Sequence, residues 1–296
     1  DKYGIPEKNI YNYQNFDDIA NNEDIDVVYV VLPNSMHAEF SIRAAKAGKH
    51  VICEKPMGIS VEECTAIIEA CNEAGVKLGM GYRLHSEPYT QQVKEYVKEK
   101  TFGDILFVSA DAAYRSTGNP DQWRLNKEMS GGGALMNMGV YAVQSTIYGT
   151  GENPISVAAQ EFSTRPDYCK DTDETITAQF KFPSGAVGNI TTSHNFNANA
   201  MYASGTSGWF RLQPANNYGP LSGETSNGDT IKFPHESQQK LQMDDFARHV
   251  LFDEPNKAPG EMGKRDMMIV EAIYRSIANG GETIALDFEP GYGFGG

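Results

Sequence analysis

Val51-Ile52-Cys53 is an apolar run that stops at Glu54-Lys55, and Pro56 follows at once. An ammonium and a carboxylate held side by side can polarise an oxygen and stabilise charge that develops on it. A lysine in a partly dry cleft also titrates nearer neutrality, so it can move a proton. Proline has no N–H for a ladder, so a strand ends here. In open α/β sheets, ligands sit at the carboxyl ends of the strands. Lys55 is therefore expected at a ligand-binding rim; the plain alternative is a surface lysine at a strand end.

Other residues offer chemistry with less force. His37 opens an apparent helix after Pro33-Asn34. His85 follows Arg83 by two and can point into a cleft. Trp123-Arg124 lies in a turn-rich stretch after Gly118-Asn119-Pro120, where site lining is the better reading than a packed ring beside a surface charge. His50, His194 and His249 read as structural. No His/Asp/Glu spacing suggests a metal, and no Gly-x-Ser-x-Gly elbow suggests acyl transfer. Cys64 and Cys71 share a helix pattern, too far apart for an easy disulfide, so the four cysteines read as buried thiols.

Elements that would carry these residues can be read from the pattern. A short strand is expected at Ile10–Tyr13 and a short amphipathic helix at Asn15–Ala20. Asp26–Leu32 is a β-branched apolar run closed by Pro33-Asn34, which predicts a strand covered on both faces. His37–Ala47 is a helix stopped by Gly48. His50–Cys53 is the next strand. Ser60 and Glu63 have capping-box spacing for a helix running to about Asn72, and Lys77–Tyr82 is a third strand. Strand, helix, strand, helix, strand at this spacing implies parallel βαβ units.

After Tyr82 the pattern changes. A polar-faced helix is expected over 86–100. Strands follow at 104–113, 155–163, 174–182, 186–194 and 207–213. Between the first two, Gly131-Gly132-Gly133 enters a helix that continues to about Tyr148. Two helices, near 240–251 and 261–279, precede a glycine-rich stretch after Leu286 that reads as a loose tail. The fold class is thus α/β plus α+β: a partial Rossmann-type domain over 1–83, then an α+β domain over 84–296 with an open, mostly antiparallel sheet.

The 296 residues carry a net charge of -14, with 40% hydrophobic and 22% charged residues. That acidity argues against nucleic acid or an anionic membrane as partner, and no apolar run is long enough to span a bilayer. A doubly wound dinucleotide domain normally opens with a glycine-rich phosphate turn and, about 20 residues on, a ribose-reading residue. Neither precedes Val27, so the chain is expected to be a fragment or truncation holding the second half of an incomplete domain. The residues leave cytoplasmic and periplasmic locations equally open.

One set of motifs goes further. Leu32-Pro33-Asn34-Ser35, His37-Ala38-Glu39-Phe40, Ala47-Gly48-Lys49-His50-Val51, Cys53-Glu54-Lys55-Pro56-Met57, Gly81-Tyr82-Arg83, Gln122-Trp123-Arg124-Leu125 and Gly131-Gly132-Gly133 occur in this order. With them the chain resembles the glucose–fructose oxidoreductase and inositol dehydrogenase family, and its glucose–fructose oxidoreductase branch most. The resemblance covers residues 1 to 287. It implies hydride transfer between a nicotinamide cofactor, NADP or alternatively NAD, and a sugar carbinol.

The resemblance also implies roles. Lys55 corresponds to a lysine that contacts substrate and nicotinamide, and Glu54 to its cofactor-contacting neighbour. Leu32, Pro33, Asn34 and His37 correspond to a loop along the dinucleotide. Arg83, Trp123 and Arg124 correspond to residues lining the nicotinamide and substrate site, and Tyr218 to a further cofactor-side tyrosine. Tyr141 stands at the acid/base position; a phenol near pKa 10 becomes workable there when a cation stabilises its phenolate. Asn137 departs from the family's usual Asp, and it can orient a hydroxyl but carries no charge. Two rival readings remain at this stage: a non-catalytic sugar-binding or assembly protein, and a glycosidase that uses NAD as a redox helper. The broad sheet implies a homodimer or homotetramer.

Overall fold

The computed structural model describes residues 2–288. Three strands, β1 (Val27–Val30), β2 (His50–Cys53) and β3 (Leu78–Met80), form a parallel sheet in chain order. Helices α1 (His37–Lys46) and α2 (Val61–Ala74) make the two crossovers. Parallel strands need such crossovers. β2 in the middle is buried from Val51 to Cys53, whereas β1 at the edge is only partly buried from Val27 to Tyr29 and Val31 is exposed, so the expected cover on both faces fails for the first strand. Gly48 has φ +73° just past α1, as a left-handed stop requires. Ser60 Oγ caps α2 by accepting from Glu63 N–H at 3.2 Å. The Glu63 carboxylate reaches one residue beyond the usual capping box, to the Ile59 N–H at 2.8 Å.

The second part is built on a nine-stranded sheet. Its strands are β4 (Ile105–Ala113), β5 (Ser156–Phe162), β6 (Thr175–Lys181), β7 (Val187–Ser193), β8 (Ala198–Gly205), β9 (Gly208–Leu212), β10 (Gly223–Thr225), β11 (Thr230–Ile231) and β12 (Ile284–Ala285). The order is β11-β10-β9-β8-β4-β7-β6-β5-β12. Among the described residues every pairing in this sheet is antiparallel except β4 with β7, which run parallel from Phe107/Val187 to Ala113/Ser193. That parallel pair brings the carboxyl ends of two central strands to one edge.

Five further helices lie among the described residues: α3 (Pro88–Lys98), α4 (Lys127–Ser130), α5 (Val140–Thr150), α6 (Gln238–Phe252) and α7 (Gly260–Ala278). Every residue of α5 is buried; it packs on β4, β7 and β8, while α7 packs on β5 and against α2. One continuous core joins Val51 and Cys53 of the parallel sheet, with Met57 just beyond it, to Ile190, Met201 and Phe210 of the larger one.

Some expectations fail. Ile10–Tyr13 is not a strand. Ile10 and Tyr13 are largely exposed, and among the described residues no strand lies alongside to accept their backbone groups. Asn15–Ala20 is a 3₁₀ turn over Phe16–Asn21. β8 escaped prediction altogether, because Ala198-Asn199-Ala200-Met201-Tyr202-Ala203-Ser204-Gly205 lacks the β-branched residues that mark a strand. The expected tail after Leu286 falls mainly at 289–296, outside the described residues. All four cysteines are free and buried.

Candidate active site

A cavity of about 640 Å³ opens at the carboxyl ends of β1 and β2 and is closed on its far side by α5, its approach and the loop around Asn216–Gly219. Lys55 is half-buried at its floor. Its ammonium donates to the Asn137 carbonyl and lies 4.8 Å over the Tyr141 ring. Burial pulls the Lys55 pKa down to about 8; Arg83 and Arg124 push the same way and Glu54 opposes them.

Glu54 is held from two sides. Its Oε1 accepts from the Tyr29 hydroxyl at 2.6 Å and its Oε2 from the Lys55 N–H at 3.1 Å. Gln242 of α6 in turn donates to the Tyr29 oxygen at 3.1 Å. Burial and then the Glu54 charge push the Tyr29 phenol up. Gly81 explains part of its own motif: a Cβ there would lie 2.9 Å from the Glu54 Cα.

The opposite wall begins at the three glycines. Gly131 ends α4 with φ +76°, and a Cβ on Gly133 would sit 2.0 Å from the Asp173 carbonyl oxygen. The Asp173 carboxylate accepts from the Gly133 N–H at 2.6 Å, the Leu135 N–H at 2.8 Å and the Tyr274 hydroxyl at 2.7 Å. It thus satisfies amides that the start of a helix leaves free. Next comes a π turn, Leu135–Gly139, in which the Val140 N–H bonds to the carbonyl of Leu135, five residues back. Such turns recur at functional sites because they re-aim side chains. This one carries Asn137, and Tyr141 follows one turn later. The Asn137 Nδ2 lies 3.0 Å from the Tyr114 hydroxyl and 3.1 Å from His194 Nε2.

Tyr141 is buried, which raises its pKa; Arg83 opposes that most strongly and Glu54 reinforces it. The cation that acts on the phenol is therefore Arg83, while Lys55 stands over the ring face. Arg83 is 5% exposed. It donates to the Asn216 carbonyl at 2.6 Å, the Asn217 carbonyl at 3.1 Å and Gln238 Oε1, and its guanidinium lies 4.1 Å over the Tyr218 ring. It pins the loop that closes the cavity.

Of the residues singled out from the sequence, Leu32, Asn34, His37, Glu54, Lys55, Arg83, Trp123, Arg124, Asn137, Tyr141 and Tyr218 all line this cavity, and Pro33 does not. Pro33 instead precedes the 3₁₀ turn Asn34–Met36. Asn34 donates to the Ser130 carbonyl at 2.8 Å, tying the two halves together. His37 turns Nδ1 to the Pro56 carbonyl at 2.7 Å and Nε2 to the Leu32 carbonyl at 2.9 Å. Both nitrogens are thus engaged with backbone, so it clamps two loops and has no free nitrogen for a substrate. Arg124 stacks 4.3 Å over Trp123. Tyr218 is 64% exposed. His85 does not reach the cleft: it is buried against Gln144 of α5.

Sequence reasoning missed Tyr114, Met136, Met138, Asn216 and Asn217, all of which line the cavity. It also placed His194 in the core without seeing that it abuts Asn137. Tyr114 and His194 each directly follow a strand, β4 and β7, just as Glu54 follows β2. The same strand-end argument applied to the second sheet would have found them.

Comparison with known proteins agrees with this arrangement. Residues 1–82 match the oxidoreductase family with an NAD-binding Rossmann fold. Residues 90–211 match the GFO/IDH/MocA C-terminal domain. The D-xylose 1-dehydrogenase [NADP(+)] of Haloarcula marismortui is 30% identical over 285 residues, covering 93% of this chain and 78% of that protein. The levoglucosan dehydrogenase of Pseudarthrobacter phenanthrenivorans is 26% identical over 315 residues, covering 93% and 76%. Among solved structures, the aldose-aldose oxidoreductase from Caulobacter crescentus complexed with glycerol superposes with a TM-score of 0.92 at 37% identity, covering 96% of this chain and 86% of that one. The chain belongs to the GFO/IDH/MocA family of oxidoreductases. Its first sheet is the Rossmann-type part and its second the mixed, mostly antiparallel α+β part.

Proposed function

We propose that this protein transfers a hydride between a nicotinamide cofactor, NADP or alternatively NAD, and a carbinol carbon of a sugar. The observation that carries the reading is Lys55, its pKa drawn to about 8, at the floor of a cavity whose other wall is Tyr141 and Asn137. The relatives named above act on xylose, levoglucosan and aldoses by their names, and one of them names NADP(+).

The residues present suit the reactive end of such a cofactor. The cavity stands at the carboxyl ends of parallel strands, where dinucleotides bind. Its volume lies within the roughly 300–1,000 Å³ usual for ligand pockets. Trp123 and Tyr141 offer flat walls, and Asn216 Oδ1 is buried there without a partner. When bound, the nicotinamide supplies the hydride acceptor or donor.

The chain's own part is proton transfer and orientation. In oxidation the carbinol O–H proton passes to neutral Lys55 Nζ as the C–H bond yields its hydride; in reduction the ammonium returns the proton. The Tyr141 hydroxyl, kept protonated by burial, donates a hydrogen bond to the same oxygen. The Asn137 carbonyl holds Lys55 in place. Glu54, Asn34, Leu32 and Trp123 border the cofactor, with Arg83 fixing the closing loop. We assign residues 1–83 to the cofactor part and 84–296 to the substrate part. Titration with NADPH followed by fluorescence, and aldose-dependent absorbance change with NADP and NAD, test this on the protein extended by the glycine-rich phosphate turn that residues 1–26 lack. A protein so extended that neither binds a nicotinamide nucleotide nor turns over any aldose would sink it.

A second copy is proposed as the partner. The helices α5 and α7 lie on one face of the nine-stranded sheet. The other face presents Thr177, Gln179, Asn189 and Thr191 around a shallow depression of about 440 Å³. A dimer through that face would give a sedimentation mass twice the 32.5 kDa of the chain.

A further inference from the structure

Tyr114 has no role in the scheme above, yet its side chain lines the same cavity as Lys55 and Tyr141. It stands at the end of β4, anchored by its N–H to the Ser193 carbonyl at 3.0 Å. Its ring packs edge-on against His194, 5.3 Å between centroids. Its hydroxyl meets the Asn137 amide at 3.0 Å, and the same nitrogen meets His194 Nε2 at 3.1 Å. An amide nitrogen carries two hydrogens and no lone pair to offer. Burial keeps the His194 ring neutral. With its proton on Nδ1, which has no other partner, one amide hydrogen is accepted by the Tyr114 oxygen and the other by His194 Nε2. With its oxygen occupied as an acceptor, Tyr114 has its own O–H free, and the space it faces is the cavity.

We propose that Tyr114 is a substrate ligand, a hydrogen-bond donor to a sugar oxygen, and that Asn137 sets it as a donor. A carboxylate at this position would reverse the polarity. It has no hydrogen to give, so the Tyr114 O–H would turn to it and present only lone pairs to the sugar. The amide therefore selects an oxygen that accepts, such as a carbonyl, a ring oxygen or the lone pair of a hydroxyl. His194 is a positioning residue: it is fully buried, and it fixes which way the amide faces by taking the second hydrogen.

The inference rests on the proposed sugar oxidoreductase reading, and its test separates the two. Tyr114→Phe, Asn137→Asp and the double variant are compared with the parent in aldose turnover, in KM for sugar and for nucleotide, and in sugar binding by calorimetry. Tyr114→Phe is expected to raise the sugar KM and Kd roughly tenfold, as loss of one hydrogen bond in a dry site does, and to leave the nucleotide KM unchanged. Asn137→Asp is expected to weaken sugar binding similarly. The double variant should be no worse than the worse single one, because the new carboxylate then has no hydroxyl left to reverse. A structural role alone would shift both KM values or add in the double variant. Unchanged sugar affinity in Tyr114→Phe, or additive losses, overturns the inference while turnover by the parent leaves the function reading standing. A parent that binds sugar without turnover sinks that reading and leaves Tyr114 to be judged by affinity. A parent that binds no sugar overturns both.

Discussion

Replacing Lys55 with Arg is the most searching change, because it keeps the positive charge and removes the ability to lose it. Burial draws the lysine from 10.5 to about 8. At pH 7 a group of pKa 8 is neutral in about one molecule in ten, against roughly 3 in 10⁴ at the ordinary value, a gain of about 300-fold in usable base. In the oxidising direction kcat/KM should rise about tenfold per pH unit below 8 and level off above it. In the reducing direction, where the ammonium donates, the profile should fall above 8. Lys55→Arg should lose roughly 10²–10⁴ in kcat and lose the limb near pH 8 in both directions. The assay is initial rate against pH from 6 to 10 at saturating nucleotide. A variant that keeps the limb shows that another group carries the proton. A variant that keeps its rate shows that only the charge matters.

Lys55→Met should unfold at higher temperature at pH 7. The depressed pKa costs the ammonium about 3 kcal/mol at every pH below 8, and loss of the bond to the Asn137 carbonyl returns about 1–2 kcal/mol of that; the gain should vanish as pH approaches 10.5, and a lower Tm at pH 7 refutes it. Gly133→Ala places a methyl 2.0 Å from the Asp173 oxygen and should cost about 1–3 kcal/mol or more in urea unfolding, whereas Gly185→Ala, with open space around it, should cost only the strain of its positive φ. Arg83→Met removes three donated hydrogen bonds from the closing loop and its Gln238 support; proteolytic nicking near Asn217 should speed up and stability fall by about 1–3 kcal/mol, as when buried acceptors lose their donor. Asn189→Arg together with Thr191→Arg on the open sheet face should convert a dimer to a single chain by sedimentation and abolish the dependence of the unfolding midpoint on protein concentration.

The legible part of this chain was the part where one residue type has one physical use. Pro33 and Pro56 end strands, Gly48 ends a helix, and Ser60 starts one; each of these marks a boundary by its own covalent chemistry. The apolar runs at Val27 and Val51 both read as strands covered on both faces; that holds for the middle strand β2, buried from Val51 to Cys53, and fails for the edge strand β1, where Val31 is 64% exposed. β8 was illegible for the opposite reason. Its Ala, Ser and Gly residues fit many conformations, and only the ladder with β4 from Ala198/Ala113 to Gly205/Ile105 makes them a strand. The same holds for the β4–β7 pair, whose parallel sense no local pattern encodes.

The site divides along that line too. Glu54-Lys55 announced itself because two charges closed an apolar run. Tyr114 and His194 did not, because an aromatic residue and a histidine after a strand are ordinary core residues unless the register is known. Asn137 shows why register decides. Taken alone it is a carboxylate missing from an expected place. Set on a π turn between Tyr114 and His194, with its carbonyl on Lys55 and its amide on the tyrosine, it joins the proton-carrying wall to the sugar-facing wall through a single residue. The carbonyl contact belongs to the backbone and survives any side chain there, while the amide contact does not. A neutral substitution of Asn137 should therefore leave the Lys55 limb near pH 8 where it is and change the affinity for sugar, a separation that a pH series on Asn137→Leu can measure, whereas Asn137→Asp adds a negative charge beside Lys55 and should move the limb up.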